Sequence, residues 1–265
     1  MTGAGDGATV SDVVSENVSS SVSSDRRTRK REARRHHLLD LAADLVEAHG
    51  IEGLTMVALA DAADYAPASL YTYFPSRSAL LAALQTRALA TLGAVADAAV
   101  ADWDARLADS EATPQVAALA RLCAFGDLFL AAPVDHPREF RLQQRLLVTD
   151  GDQDTDDVAA VVPAAMAVLL VPQQLLAAAA SAGALDAPAE VLDPIGHPAD
   201  GDLVRTIAWV VALNGALLTD GLVMGLPTTG AVLGRELTTA LLAGWGAAPD
   251  DLVTAHALVR SWAGR

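Results

Sequence analysis

All three tyrosines of this 265-residue chain fall within nine positions, Tyr65, Tyr71 and Tyr73, immediately before Pro75. A role in the core would scatter them, whereas a hydroxyl-bearing ring wants a polar partner. Upstream, RRTRKREARR places seven basic side chains in residues 26–35. Such a run either follows phosphates as an electrostatic arm or begins a solvated helix. Together the two features point to chemistry with a polyanion. Catalytic chemistry is not written in the same way. The six histidines, at 36, 37, 49, 136, 197 and 256, form no HExxH pattern. Cys123 is the lone cysteine, lies in the apolar run LARLCAFGDLFL, and reads as a core residue. The acidic stretch DGDQDTDD at 150–157 lacks the glycine and terminal glutamate of a calcium loop and reads as a loop leading into a helix. Arg138, Arg141 and Arg145 share one helical face, suited to an anionic ligand or, on an acidic body, to exposed ion pairs. No metal, cofactor or catalytic residue is expected.

The net charge of −15 argues against a nucleic-acid partner until it is divided along the chain. Residues 1–25 hold four acids and no base, residues 26–87 nine bases and seven acids, and residues 88–265 nine bases and twenty-two acids. A mildly basic segment on an acidic body suggests a small DNA-facing module joined to something else. The first 25 residues are rich in Ser, Gly, Val and Thr without amphipathic period and read as a disordered tail. They carry no secretory signal, and the single cysteine fits a reducing, cytoplasmic setting.

Helical phasing then positions the tyrosines. Leu38, Leu41, Leu45 and Val46 make an amphipathic helix that Gly50 ends. Thr55 caps a second helix with Met56, Leu59, Ala60 and Ala63 on one face. Asp64 occupies a turn that needs a left-handed residue, a conformation Asp tolerates less easily than Gly. Pro67 suits the first turn of a third, short helix, and Pro75 requires that helix to stop by Phe74. Ser76 caps a fourth helix running through Leu80, Leu81 and Leu84. Within the short helix Leu70 and Phe74 share a face and anchor it, so Ala68, Ser69, Tyr71 and Thr72 turn outward. That is the layout of a helix-turn-helix recognition helix, small enough to enter a major groove, with hydroxyls for phosphates.

Residues 38–84, LLDLAADLVEAHGIEGLTMVALADAADYAPASLYTYFPSRSALLAAL, resemble the N-terminal domain of the TetR family of transcriptional regulators. The segment Leu70–Arg77 carries the resemblance most specifically. It implies an all-α homodimer, with an N-terminal helix-turn-helix domain followed by a larger helical ligand-binding and dimerisation domain. It further implies that Thr55, Ser69, Tyr71, Thr72, Tyr73 and Arg77 face DNA. With Pro67 and Ala68 of the short helix, and Arg26, Arg27, Arg29, Lys30 and Arg31 of the basic run, they form the expected interface. The chain departs from the family pattern at Asp64, where Gly is usual, at Ala66, where a capping Ser or Thr is common, and at Pro67, where Lys often lies. Asp64 adds a charge that DNA repels, and Ala66 forfeits a hydroxyl.

The expected boundaries are 1–25 for the tail, 26–85 for the DNA-binding domain and 86–265 for the effector and dimerisation domain. In the last, helices are expected over 114–131, 137–148, 156–181, 203–224, 231–245 and 250–262, between Gly, Pro and Asp clusters. The apolar stretches 161–180 and 203–226 are interrupted by Pro163, Pro172, Gln173 and Gln174, and by Arg205, Asn214 and Asp220, which suits buried helices rather than membrane spans. A pocket for an apolar effector is expected to use Phe125, Phe129, Met166, Leu170, Gln173, Trp209 and Asn214. Asn214, inside IAWVVALNGALL, suits a ligand, a neighbouring helix or its own backbone. The resemblance places the dimer contact on the last helices, here 203–224 and 231–245. The expected function is a ligand-responsive repressor that binds a palindromic operator as a homodimer. The alternatives are a ligand-independent or activating regulator, and a helical interaction protein with a decayed DNA module.

Overall fold

Uninterrupted stretches of good helix formers, punctuated by Gly and Pro, become ten α-helices among the described residues of the computed structural model, 10–144, 155–188, 191–192, 198–221 and 227–262. They are α1 (Val10–His49), α2 (Met56–Ala63), α3 (Pro67–Leu70), α4 (Arg77–Ala108), α5 (Pro114–Asp135), α6 (Pro137–Gln144), α7 (Thr155–Ser181), α8 (Gly201–Leu218), α9 (Gly230–Gly244) and α10 (Pro249–Trp262). The only strands described are β1 (Val191–Leu192) and β2 (Pro198–Ala199), paired antiparallel with Val191 opposite Ala199. The chain divides into two compact units, 1–81 and 82–265, so the boundary falls inside α4.

One expectation for the N-terminus is corrected. Residues 10–25, read as tail, are helical and continuous with the basic run. No Gly or Pro interrupts residues 8–49, so nothing stops a helix from propagating back from its packed end. In this unit Leu38, Leu39, Ala42 and Val46 of α1 form a core with Leu54, Leu59 and Leu70.

In the second unit α5 is the hub and packs against α6, α7, α8, α9 and α10. Its core gathers Leu119, Leu122, Leu176, Trp209, Leu213 and Leu242. Trp209 is fully buried, donates from Nε1 to the Thr238 hydroxyl at 2.9 Å, and meets the Phe125 ring at 5.3 Å. Gly234 lets α9 approach α5, since a Cβ there would run into the Leu130 side chain. Four helices, α4, α5, α7 and α8, are long and apolar enough to cross a bilayer by length and composition. Burial separates them: the apolar window of α5 is 61% buried, that of α7 and of α8 only 28%. The apolar side chains of α7 and α8 therefore serve a surface as well as a core.

Candidate nucleic-acid interface and ligand cavity

The short helix is held from beneath and presents its polar side outward. Thr55 caps α2, its hydroxyl accepting from the Ala58 N–H at 3.0 Å. Asp64 ends α2 in the left-handed region at φ 55°, and the next amide, Tyr65 N–H, reaches back to the Ala60 carbonyl at 2.9 Å. It is the only non-glycine residue with positive φ among the described residues. Pro67 opens α3, and Ala66 before it supplies no side-chain cap. Leu70 is fully buried and Phe74 nearly so, whereas Pro67, Ala68, Ser69, Tyr71 and Thr72 are exposed and Tyr73 is half-buried. The Thr72 hydroxyl donates to the Ser69 carbonyl at 2.7 Å, which ties the exposed turn together.

The basic residues belong to helix α1, not to a loose arm. Arg31 donates to the Thr72 carbonyl at 3.0 Å, and the Arg35 guanidinium lies 5.2 Å over the Phe74 ring. Arg27, Lys30, Arg31 and Arg34 line one shallow groove with Thr72 and Tyr73. Arg26, Arg29 and Lys30 border a different groove, and Arg29 pairs with Asp25 at 2.6 Å. Arg34 was missing from the expected set. The i, i+3, i+7 phase of 27, 30 and 34 would have found it once the run was read as helix. Arg77 turns inward instead: Nε donates to the Leu54 carbonyl at 2.5 Å and Nη2 to the Ile51 carbonyl at 2.6 Å. It fastens the α1–α2 loop because it lies at the first residue of α4, within reach of carbonyls that no helix satisfies.

In the second unit a cavity of about 210 Å³ opens among α4, α5, α6, α7 and α8. Leu89 and Leu92 of α4, Phe125 and Phe129 of α5, Phe140 of α6 and Val168 of α7 make its walls apolar. Of the seven residues expected here, Phe125 and Phe129 line it and five do not. Met166 and Leu170 lie on the exposed side of α7, a face away from the lining residues 165, 168, 169 and 172. Gln173 donates to the Asp200 carboxylate at 3.0 Å. Trp209 is buried behind Phe125. Asn214 spends its amide on a helix contact, donating to the Val210 carbonyl at 2.9 Å and accepting from Gln144 at 3.3 Å. Choosing residues for bulk rather than for helical phase selected the wrong side of α7. Ile207 and Val211 line the cavity and are also largely exposed along α8.

One thiol and one imidazole lie near each other, Cys123 Sγ and His256 Nε2 at 3.9 Å, with the Thr239 hydroxyl 3.0 Å from the same nitrogen. Burial, reinforced by Asp127, pushes the Cys123 thiol up to about 12, and burial also holds His256 below its ordinary value. A neutral thiol beside a weakly basic imidazole is not an activated nucleophile. Among the described residues no His, Cys, Asp and Glu group could hold a metal ion. Arg145 and residues 150–154 of the acidic stretch lie outside the described residues.

Residues 38–84, the helix-turn-helix segment, match the family described as bacterial regulatory proteins of the tetR family. No curated protein matches the chain. Solved structures share its fold. A tetR-family regulatory protein from Rhodococcus RHA1 is 16% identical with a TM-score of 0.52, over 81% of this chain and 97% of that one. The fatty acid degradation regulator FadR from Bacillus halodurans is 14% identical at 0.51, over 78% and 97%. RolR in complex with resorcinol is 18% identical at 0.54, over 86% and 95%. The described chain is thus predominantly helical, with an N-terminal helix-turn-helix segment that matches the tetR family and an overall fold shared with TetR-family structures.

Proposed function

We propose that the protein is a cytoplasmic, ligand-responsive repressor that binds a two-fold operator as a homodimer. The observation that carries this reading is the exposed row Ala68, Ser69, Tyr71 and Thr72, held by buried Leu70 and flanked by the groove of Arg27, Lys30, Arg31 and Arg34. In a helix-turn-helix such a row enters the major groove while basic side chains meet phosphates. The apolar cavity is the place for an effector, which would act by changing the separation of two recognition helices set one DNA turn, about 34–36 Å, apart.

The second copy is proposed to sit on α7 and α8. The exposed side chains of α8, Val204, Ile207, Ala208, Val211 and Leu218, carry no charge or polar group, and the exposed side chains described in α7 beyond its first turn, where Asp156 is exposed, carry no charge. Helix α9, expected to share the contact, instead exposes Arg235 and Glu236, the former paired with Asp127 at 2.6 Å. Helices of 27 and 18 residues, each about 10 Å wide, offer on the order of 700 Å² of face. That approaches the roughly 800 Å² per partner of a stable dimer.

The test is selection of duplexes from a random pool with the full chain, followed by footprinting and sedimentation. The expected result is a two-fold footprint from a dimer, weakened when Ile207 and Val211 are changed to Glu. Retention of no sequence refutes the DNA reading. A monomer, or binding of the same face to lipid vesicles in place of a second copy, refutes the dimer.

A further inference from the structure

We infer that the cavity takes an apolar molecule whose polar end is a hydrogen-bond donor, an amine above all, and that it rejects carboxylates and phosphates; this rests on the reading of the cavity as an effector site. Three observations converge on acceptors. Gln143 lines the cavity, and its Oε1 is buried with no hydrogen-bond partner. A buried amide oxygen left without a donor costs stability, so a group that supplies one gains by binding there. The second observation is covalent. Pro133 and Pro172 lie inside α5 and α7. Proline has no N–H, so the carbonyl four residues earlier loses its helical donor. Those carbonyls belong to Phe129 and Val168, and both residues line the cavity. The third is charge. Among the described residues the lining holds neither Lys nor Arg, and its one formal charge is the Asp135 carboxylate.

The apolar middle and the polar ends are spaced by α6. Lining residues His136, Phe140 and Gln143 follow i, i+4, i+7, so Gln143 stands about 10 Å along the helix from the Asp135–His136 corner. Phe140, edge-on to Phe129 at 5.9 Å between ring centres, sits between the two ends. An apolar cavity of about 150 Å³ accommodates one benzene ring. The 210 Å³ here suits a substituted or fused ring. An anion placed in it would meet the Asp135 carboxylate at one end and the Gln143 amide oxygen at the other, with no cation among the described lining residues to offset its lost hydration. An ammonium group at either polar end would meet an acceptor, Gln143 Oε1 or the Asp135 carboxylate, and could form a charge-assisted hydrogen bond there.

Four probes of one shape separate these terms in calorimetric titrations of the full chain: 1-methylnaphthalene, 1-naphthalenemethanol, 1-naphthylmethylamine and 1-naphthoate. The expected order of affinity is amine, alcohol, hydrocarbon, carboxylate, with the amine about tenfold or more tighter than the hydrocarbon. Gln143→Leu should weaken the amine and the alcohol severalfold and leave the hydrocarbon unchanged or tighter. Asp135→Asn should weaken the amine alone. A carboxylate that binds as tightly as the amine overturns the inference. So does a Gln143→Leu effect equal across all four probes, and so does the failure of every probe to bind. The titration contains no DNA, so a chain that selects an operator but misorders the probes refutes the ligand class alone. A chain that orders them as stated but selects no DNA refutes the repressor reading alone.

Discussion

Arg77 offers the sharpest separation of a structural role from a DNA-contacting one. Its guanidinium reaches two loop carbonyls, Leu54 at 2.5 Å and Ile51 at 2.6 Å, across a connection that also holds the Leu54 N–H to Ile51 carbonyl bond at 3.2 Å. Arg77→Met keeps much of the apolar stem and removes both bonds. Hydrogen bonds from a charged donor contribute roughly 1.5–3 kcal/mol each when buried. Arg77 is only partly buried, so the lower end of that range is appropriate. Two bonds then amount to about 2–3 kcal/mol, lost from the N-terminal unit. Native-state hydrogen exchange at the Leu59 and Ala60 amides reads that loss directly, because both residues are buried in α2 beside the loop. The same variant is titrated onto a selected duplex over a range of salt. A side chain that touches phosphate contributes about 0.9 to the logarithmic salt slope. The expected outcome is faster exchange with an unchanged slope for Arg77→Met, against unchanged exchange with a slope lowered by about 0.9 for Lys30→Gln. The converse for Arg77, a loss below about 0.5 kcal/mol with a lowered slope, would refute the assignment.

The remaining expectations are quicker to state. Leu70→Ala should cost about 2–5 kcal/mol in unfolding experiments, since it empties a fully buried site. Tyr71→Phe at an exposed site should leave the melting temperature in place and weaken DNA binding instead. Thr238→Val leaves the Trp209 indole N–H without its acceptor and should lower stability in urea by about 1–3 kcal/mol. Cys123 should resist alkylation in the native chain at pH 8 and react promptly in urea. Because its folded-state pKa is raised from 9.0 to about 12, the stability it contributes is intact below pH 9 and falls as pH rises through that interval.

The sequence was most legible where one residue type has one use. Pro67, Pro75, Ser76 and Thr55 announce helix starts and stops, and each lies at such a boundary in the structure. The buried pair Leu70 and Phe74 followed from spacing alone. In the larger unit the six expected helices appear within a few residues of their expected limits where they are described, because Ala-rich blocks leave the breakers conspicuous. Pairings across the chain were not legible. Arg77 finds Ile51 and Leu54, Gln144 finds Asn214, and Gln173 finds Asp200, and no local pattern encodes such meetings. The cavity was missed in detail for a related reason. Met166 and Leu170 are as bulky as the residues that do line it, and only the rotational phase of α7 distinguishes them. The two-residue strands are too short to leave any alternation to read.

Ile207 and Val211 belong to the cavity wall and to the outer face of α8 at once. With a second copy on that face, these side chains are buried from both directions, and the cavity of a lone chain differs from the cavity of an assembled one. Affinity for the effector then depends on how much regulator is present, because dilution dissociates the pair and changes the wall that the effector meets. The relation runs equally the other way: an effector that prefers the paired wall holds the pair together by the same free energy. If the protein pairs and responds to an effector as proposed, the threshold concentration at which a cell responds would be a function of its own stock of the protein.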